Sequence, residues 1–320
     1  MNQQLPLAVY YEHPEWFRPL FAELDRRSIQ YLRIDAGCHV YDATATDRKY
    51  ALFFNRMSAS AYLRGNAQGI FFTRDYLAHL ERIGTRVING CKAFSFEVSK
   101  AAQLALLHSL GLATPRSRIV NCAIQAVCAA QEIGFPVIIK PNIGGRGAGI
   151  MRFDSAPALE RAAAAGEIDF GIDSTALVQE FLPVRGGHIT RVETLGGKFL
   201  YAIKVYTSGE NFNLCPAEIC RTEDDGSAAN TAVLVDAPKA GLEVQGYTPP
   251  QEIIDVVERI VVAAQIEVGG VEYIVDDRDG VVVYYDINAL SNFVANAPQI
   301  LGFDPHVRLV DYLEDEKEGV

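Results

Sequence analysis

The stretch Pro136-Val137-Ile138-Ile139-Lys140-Pro141-Asn142-Ile143-Gly144-Gly145-Arg146-Gly147-Ala148-Gly149-Ile150 decides how this chain is read. Val137 to Lys140 is a β-branched run that predicts a strand, and Ile150 to Phe153 predicts another. Between them Gly144, Gly145, Gly147 and Gly149 let backbone N–H groups approach an anion without Cβ obstruction. Lys140, at the end of the first strand, adds a point charge suited to phosphate oxygens. A Walker A loop is excluded, because Gly149 is followed by Ile150 and Met151 rather than by Lys and Ser/Thr. The dinucleotide fingerprint is excluded as well, since Gly145-x-Gly147 has no third glycine at position 150 and leads into a strand. What remains is a glycine-rich hairpin loop, either a bare tight turn or a phosphate lid.

Two further segments carry chemistry. In Gly270-Val271-Glu272 … Tyr285-Asp286-Ile287-Asn288, alternation along a strand puts Asp286 and Asn288 on one face. A short turn over Asp276–Gly280 brings Glu272 opposite them on the facing strand. Two carboxylates and a carboxamide are hard oxygen donors of the kind Mg²⁺ takes, or else polar residues on a solvated sheet face. The third segment, Leu177-Val178-Gln179-Glu180-Phe181-Leu182-Pro183, is an apolar strand ending in acid–aromatic–leucine. It suits a flat purine or simply a core edge strand.

Working outward, residues 1–90 alternate strand and helix. Strands are expected over Leu7–Tyr10, Ile29–Ile34 and Ala51–Phe54, with helices over Pro14–Arg27 and Asp75–Ile83. This pattern predicts an open α/β unit with a mostly parallel sheet. A single helix is expected over Phe96–Leu110, stopped by Gly111. A smaller α/β module follows over about 118–183, with a helix at Ile124–Ile133, a further one near Ala158–Ala165 and a strand at Ala176–Phe181. Residues 184–320 read as an antiparallel sheet, with hairpins about Gly196-Gly197 and Asp276–Gly280 and an acidic loop over Glu223–Ala229. Thr248-Pro249-Pro250-Gln251 has capping-box spacing and opens a helix whose buried face is Ile253, Ile254, Val257, Ile260 and Val261. The fold class is therefore α/β, turning α+β in the C-terminal part.

The 320 residues are 49% hydrophobic, enough for a substantial core and for about two domains. With 29 basic and 40 acidic residues the net charge is −11, which removes any whole-molecule footprint for nucleic acid or an anionic membrane. Met1-Asn2-Gln3-Gln4 has no basic n-region, and no uncharged apolar run reaches the ~20 residues of a membrane span. Six cysteines form no CxxC pair, and only Cys215-x₄-Cys220 has metal-like spacing, without a second pair to complete it. A reduced, cytoplasmic protein is expected.

In their order along the chain, the glycine hairpin, Gln179-Glu180-Phe181-Leu182 and the Asp286-x-Asn288 hairpin resemble an ATP-grasp protein, most closely the RimK-like amino-acid ligases. Their relatives include glutathione synthetase and D-alanine–D-alanine ligase. The resemblance runs from about Asn89 to Phe303 and implies an ATP-grasp domain over 91–320 preceded by a pre-ATP-grasp domain over 1–90. It implies that Lys100 and Lys140 hold the nucleotide, that Gly144, Gly145, Gly147 and Gly149 cover the triphosphate, and that Gln179, Glu180, Phe181 and Leu182 meet the adenine. It implies two Mg²⁺ ions, or Mn²⁺ in their place, on Glu272, Asp286 and Asn288. Arg191 keeps the arginine of the family's Asp-x-Arg, here Ile189-Thr190-Arg191. The basic residue of the next strand falls at Val205, with Lys204 beside it as the remaining catalytic cation. Arg56, His188 and Asn213 are the candidate substrate contacts. The implied reaction joins a small carboxylate to an amine through an acyl phosphate, with an amino acid or small peptide-like substrate. The competing readings are a phosphotransferase on the same fold and an ATP-binding module without turnover. A homo-oligomer is compatible with the sequence.

Overall fold

The computed structural model describes residues 5–206 and 243–319. The expectations for Asn213, for the Cys215/Cys220 pair and for the Glu223–Ala229 loop lie outside the described residues.

Near-continuous apolar runs at Leu7–Tyr11 and Leu52–Arg56 build the centre of the first sheet, as strands buried on both faces require, while the edge strand Tyr31–Asp35 is partly exposed. Strand β1 (Leu7–Tyr11) is followed by a 3-10 turn at Pro14–Phe17 and helix α1 (Arg18–Arg26), then β2 (Tyr31–Asp35), β3 (Leu52–Arg56), helix α2 (Ala67–Arg82) and β4 (Arg86–Ile88). All pairings are parallel, in the order β2-β1-β3-β4. Helix α2 begins well before the expected Asp75, because the Asn66 side chain accepts from Gly69 N at 3.2 Å and caps it.

The single helix expected over Phe96–Leu110 is two helices, α3 (Cys91–Glu97) and α4 (Lys100–Ser109). The break is at Ser99, which is extended (φ −154°) while its hydroxyl accepts from Ala102 N at 3.2 Å. Asn142 fixes the break from the far side of the glycine strand: its Oδ1 accepts from Ala101 N at 2.9 Å and its carbonyl from Lys100 N at 3.2 Å. Lys100 is thereby set at the first turn of α4.

A small antiparallel sheet comes next, in the order β5-β8-β6-β7. Its elements are β5 (Ser117–Val120), α5 (Ala123–Ile133), β6 (Val137–Pro141), β7 (Met151–Phe153), α6 (Ala156–Ala165) and β8 (Ala176–Glu180). Strands β6 and β7 pair from Val137↔Phe153 to Ile139↔Met151, so the glycine stretch is their hairpin loop.

The third sheet runs β11-β10-β9-β12-β13. It comprises β9 (His188–Leu195), β10 (Lys198–Tyr206), β11 (Val244–Tyr247), β12 (Val268–Val275) and β13 (Val282–Asn288), with helix α7 (Gln251–Ala264) between β11 and β12. Val257, Ile260, Val261 and Ala264 of α7 pack on Val192, Val271 and Tyr273, covering one face and leaving the other for the site. The capping box expected at Thr248 does not form. Pro250 is the N-cap, without a side-chain bond.

Helices α8 (Ala297–Leu301) and α9 (Pro305–Glu318) close the chain and were not anticipated. Leu309, Val310 and Leu313 of α9 join Leu20, Leu24 and Leu52 in one core that also includes Ile203 and Val268, so the first and third sheets share an interior. Arg27 pairs with Asp311 (2.7 Å) and Glu314 (3.0 Å), and Arg86 with Glu267 and Glu316. Among the described residues no helix is long and apolar enough to cross a membrane.

Asn89 fastens these sheets at the end of β4. It is 1% exposed and left-handed (φ 50°), a conformation asparagine tolerates. Its Nδ2 donates to the carbonyls of Val268 (2.6 Å) and Ala289, and its Oδ1 accepts from Glu267 N (2.9 Å) and Val268 N (3.2 Å). Asn89→Ala leaves these buried backbone groups unmatched and is expected to lower unfolding free energy by about 3 kcal/mol, read by urea denaturation. Asn89→Asp is expected to recover only part of that loss, because a carboxylate cannot donate to Val268 and Ala289.

Candidate active site

A cavity of about 320 Å³ lies where the three sheets meet. The small sheet contributes Lys140 and the glycine hairpin, β8 contributes Gln179 and Glu180, and the third sheet presents the face that α7 leaves open. Alternation on β9 points Ile189, Arg191 and Glu193 into the cavity and turns Thr190 and Val192 away.

Of the residues singled out in the sequence, Lys100, Lys140, Gly144, Gly145, Gly147, Gln179, Glu180, Phe181, Leu182, Arg191, Glu272, Asp286 and Asn288 all line this one cavity. Glu272 is the register partner of Asp286, and Gly270 of Asn288. The register slips by one residue beyond Glu272, and the extra residue is Tyr285, whose hydroxyl donates to Glu272 Oε2 at 2.8 Å.

Other expectations are corrected. Lys204 does not enter the cavity, because it alternates with Ile203 and Val205 and stands on the opposite face, 4.5 Å over the Tyr247 ring. Val205, paired with Ile189, is the residue on the site side of β10. His188 is outside the cavity too, with Nδ1 against the Gly186 carbonyl at 3.1 Å and its ring near Tyr206. Gly149 (φ 72°) packs onto Pro141 and Asp169, where a Cβ would come within 2.8 Å of both, so it shapes the hairpin without lining the cavity. Arg56 does not line it either. It is 2% exposed, lies over the Phe17 and Phe54 rings, and donates to the Ser291 carbonyl, beside Asn292 and Phe293, which do line it.

Charges dominate the cavity floor. Lys100 pairs with Asp286; burial by itself would lower its pKa, and Asp286 outweighs burial and holds it above the ordinary lysine value. Arg191 donates to Glu193 at 2.5 Å and to Glu272 at 3.2 Å, and these carboxylates likewise overcome burial and raise it. Glu272 is pushed up by burial and next by Asp286, which marks two carboxylates close together in a dry site. Lys140 has no ion pair among the described residues, and burial, with Lys100 nearby, lowers it to about 8. Burial raises Glu97 to about 7, although it accepts from Ala289 N (2.8 Å) and Leu290 N (3.1 Å).

At the other end the Glu180 carboxylate is engaged by Arg116 through its backbone N (2.8 Å) and its guanidinium (3.2 Å). A side-chain contact from Glu180 to a base would compete with both. Gln179 Oε1 is buried without a hydrogen-bond partner among the described residues, and Arg152 stacks on the Phe181 ring at 4.1 Å.

Sequence reasoning gave no site role to Trp16, Ser58, Ser60, Glu97, Glu193, Tyr285 and Phe293, all on the cavity wall, whereas Asn292, read from the sequence as shaping an acceptor pocket, does line it. Glu193 was findable, since it stands two residues from Arg191 on the same strand face. Trp16 and the Ser58–Ser60 turn come from another sheet and carry no local signal.

Residues 99–186 match the family described as carbamoyl-phosphate synthase L chain, ATP binding domain. The chain is 28% identical over 194 residues to a probable alpha-L-glutamate ligase of Teredinibacter turnerae, a match covering 58% of this chain and 64% of that relative. Its fold is similar to that of a RimK domain ATP-grasp protein from Sphaerobacter thermophilus (TM-score 0.66, 16% identity, 96% of this chain and 98% of that one). It is similar also to D-alanine–D-alanine ligase from Bacillus anthracis (TM-score 0.65, 14% identity, all of both chains). The fold is thus similar from end to end to that of ATP-grasp proteins, and the glycine hairpin lies inside the segment that matches the ATP-binding family.

Proposed function

We propose that the chain is an ATP-dependent carboxylate–amine ligase acting on an amino acid or small peptide-like substrate. The observation that carries this reading is the convergence of Lys100, Lys140, Arg191, the glycine hairpin and the Glu272/Asp286/Asn288 group on one cavity. In this reading residues 91–320 form the ATP-grasp domain and residues 1–90 the domain that completes its substrate end. The adenine lies along Gln179–Leu182, with Gln179 Oε1 free to accept from an exocyclic amine.

Phosphoryl transfer asks the protein chiefly for in-line positioning and for cations where charge spreads. Lys140 and Lys100 meet the phosphate oxygens, and Arg191 meets the carboxylate being activated. The hairpin over Gly144–Gly147 excludes water that would hydrolyse an acyl phosphate. Glu272, pushed up by burial and by the neighbouring Asp286, makes with Asp286 and the Asn288 carboxamide an oxygen donor set suited to Mg²⁺. Bound there, Mg²⁺ would neutralise the β- and γ-phosphate oxygens. Two acids and one amide would hold Mg²⁺ through few protein ligands and leave positions for phosphate oxygens.

Val205 favours a second reading, an ATP-binding module without turnover, because it puts an apolar side chain where the family carries a cation. Mg·ATP incubated with amino acids and short peptides is expected to yield ADP, phosphate and an amide detectable by mass spectrometry. A phosphorylated small molecule in place of the amide would indicate a phosphotransferase, and binding without ADP release would indicate the silent module.

Lys140 supplies a second test. Its pKa of about 8 lies below the 10.5 of a free lysine, so the unfolded chain holds this proton more tightly. The cost to stability is complete below about pH 8 and fades as pH rises to 10.5, amounting to about 3 kcal/mol at most. Lys140→Met is therefore expected to raise the thermal midpoint at pH 7, with the gain shrinking at alkaline pH. The same substitution is expected to weaken Mg·ATP binding by about tenfold or more in calorimetry. In the unaltered chain, Mg·ATP affinity is expected to fall as pH rises through about 8, with proton uptake on binding above that point.

A further inference from the structure

Among the described residues the acids on the cavity wall are Glu97, Glu180, Glu193, Glu272 and Asp286. Four of the five are held by cations. Glu180 is paired with Arg116 and Arg278, Glu193 and Glu272 with Arg191, and Asp286 with Lys100. Glu97 is in no ion pair among the described residues. Its partners are backbone N–H groups: Oε2 accepts from Ala289 N (2.8 Å) and Leu290 N (3.1 Å), while Oε1 has only a long contact from Ala59 N, at 3.5 Å. A carboxylate gripped by a cation loses much of its affinity for a proton, and one held by neutral dipoles keeps more of it. Burial raises the Glu97 carboxyl to about 7, against the lowering by the Ala289 and Ala59 N–H groups, which suits a group that takes up and returns a proton near neutral pH.

Glu97 also stands in the right place. It ends α3, three residues before Lys100. Of the segments its two oxygens bridge, Ala289–Leu290 follows directly on Asn288, and Ala59 lies between Ser58 and Ser60 on the wall that the first sheet's side contributes. The carboxylate therefore sits at the seam between the phosphate end and the end walled by Trp16, Ser58 and Ser60. Amide formation has a need there that the phosphate-binding groups do not meet. Most amines are ammonium ions near neutral pH and have no lone pair to attack with until a proton leaves. Lys140, also without an ion pair among the described residues, would serve only by giving up the charge that the phosphate end uses.

We propose that Glu97 is the general base of the amide-forming step, taking a proton from the attacking amine on Oε1, the oxygen with the weaker hold. The role rests on the ligase reading. The ammonium gives one proton to Glu97, and the lone pair so freed forms the N–C bond to the acyl carbon. The bond from that carbon to the phosphate oxygen breaks with its electron pair on the oxygen, which takes the second proton lost by nitrogen. The products are the amide, hydrogen phosphate and a protonated Glu97 that returns its proton to water.

The test compares two nucleophiles. The full chain is incubated with Mg·ATP and, as carboxylates, the proteinogenic amino acids and their glycyl dipeptides. One arm adds hydroxylamine, which is neutral near neutral pH and needs no base to free its lone pair. The other relies on the amino groups of the same amino acids. Hydroxamate, amide and ADP are followed by mass spectrometry. In Glu97→Gln, whose side-chain carbonyl still accepts from Ala289 N and Leu290 N, the amide-to-hydroxamate rate ratio is expected to fall by about a hundredfold or more. Glu97→Asp, a base set back by one methylene, is expected to lower the ratio by about tenfold, and it carries the comparison by itself if the Gln variant does not fold. A ratio that survives the substitutions, with amide and hydroxamate falling together as a structural role would make them, overturns the base and leaves the ligase reading standing. Hydroxamate without any amide from the unaltered chain overturns it too. No hydroxamate and no amide from any carboxylate would instead remove the ligase reading, and the base with it.

Discussion

A charge taken out of water must find an opposite charge or a fixed dipole, and this constraint organises the junction of the three sheets. Lys100 reaches Asp286 from the first turn of α4, and Arg191 reaches Glu193 and Glu272 along and across the strands. The Lys100–Asp286 and Arg191–Glu272 pairs join elements distant in the sequence, so this group of charges forms only when α4, β9, β12 and β13 have come together. Well-packed apolar residues would stabilise such a junction more than ion pairs do, and keeping the charges there is hard to explain by stability alone. Lys140 is the sharpest case, a buried lysine with another lysine as its neighbour and no acid in contact among the described residues.

The backbone makes room for these charges. Gly270 sits against the Val192 carbonyl and the Glu193 carboxylate, where a side chain would displace either. The neighbouring Gly269 is equally crowded, by Ile266 and by the Asn288 carbonyl. Two glycines in the middle of a strand weaken it, and here they let β9 and β13 bring acidic side chains close to β12. The bulge at Tyr285 works in the same direction, adding a hydroxyl donor to Glu272 that a regular ladder would have turned to the other face.

Much of this was legible in the residues because it depends on periodicity and turn chemistry. Lys140, the glycine hairpin and the facing of Glu272 with Asp286 follow from strand alternation and from a short loop, both local properties. What was illegible is tertiary. The division of α3 from α4 depends on Asn142, more than forty positions away, whose side chain replaces the missing helical bonds at Ser99. Helix α9 has too acidic a surface to read as core from its pattern, and it is buried only because Leu309, Val310 and Leu313 meet the first sheet. Lys204 shows the cost of weighting charge over alternation: it is the nearest cation in sequence to the position wanted, and the pleat turns it away.

The same pleat bears on what the cavity can accept. On β10 the residues facing the site side are Tyr201, Ile203 and Val205, so this strand brings no cation to it, and the Tyr201 hydroxyl is committed to Val294 N at 3.0 Å. The cations on the cavity wall are Lys100, Lys140, Arg146, Arg152 and Arg191, and Arg56 is set apart behind the Ser291–Phe293 turn. Glu193, which is buried, and Glu97 also stand on the cavity wall, and both interact with the Arg56 charge. An anion against this wall would face the buried Glu193 with no cation from β10 to offset it, since the pleat turns Lys204 to the opposite face.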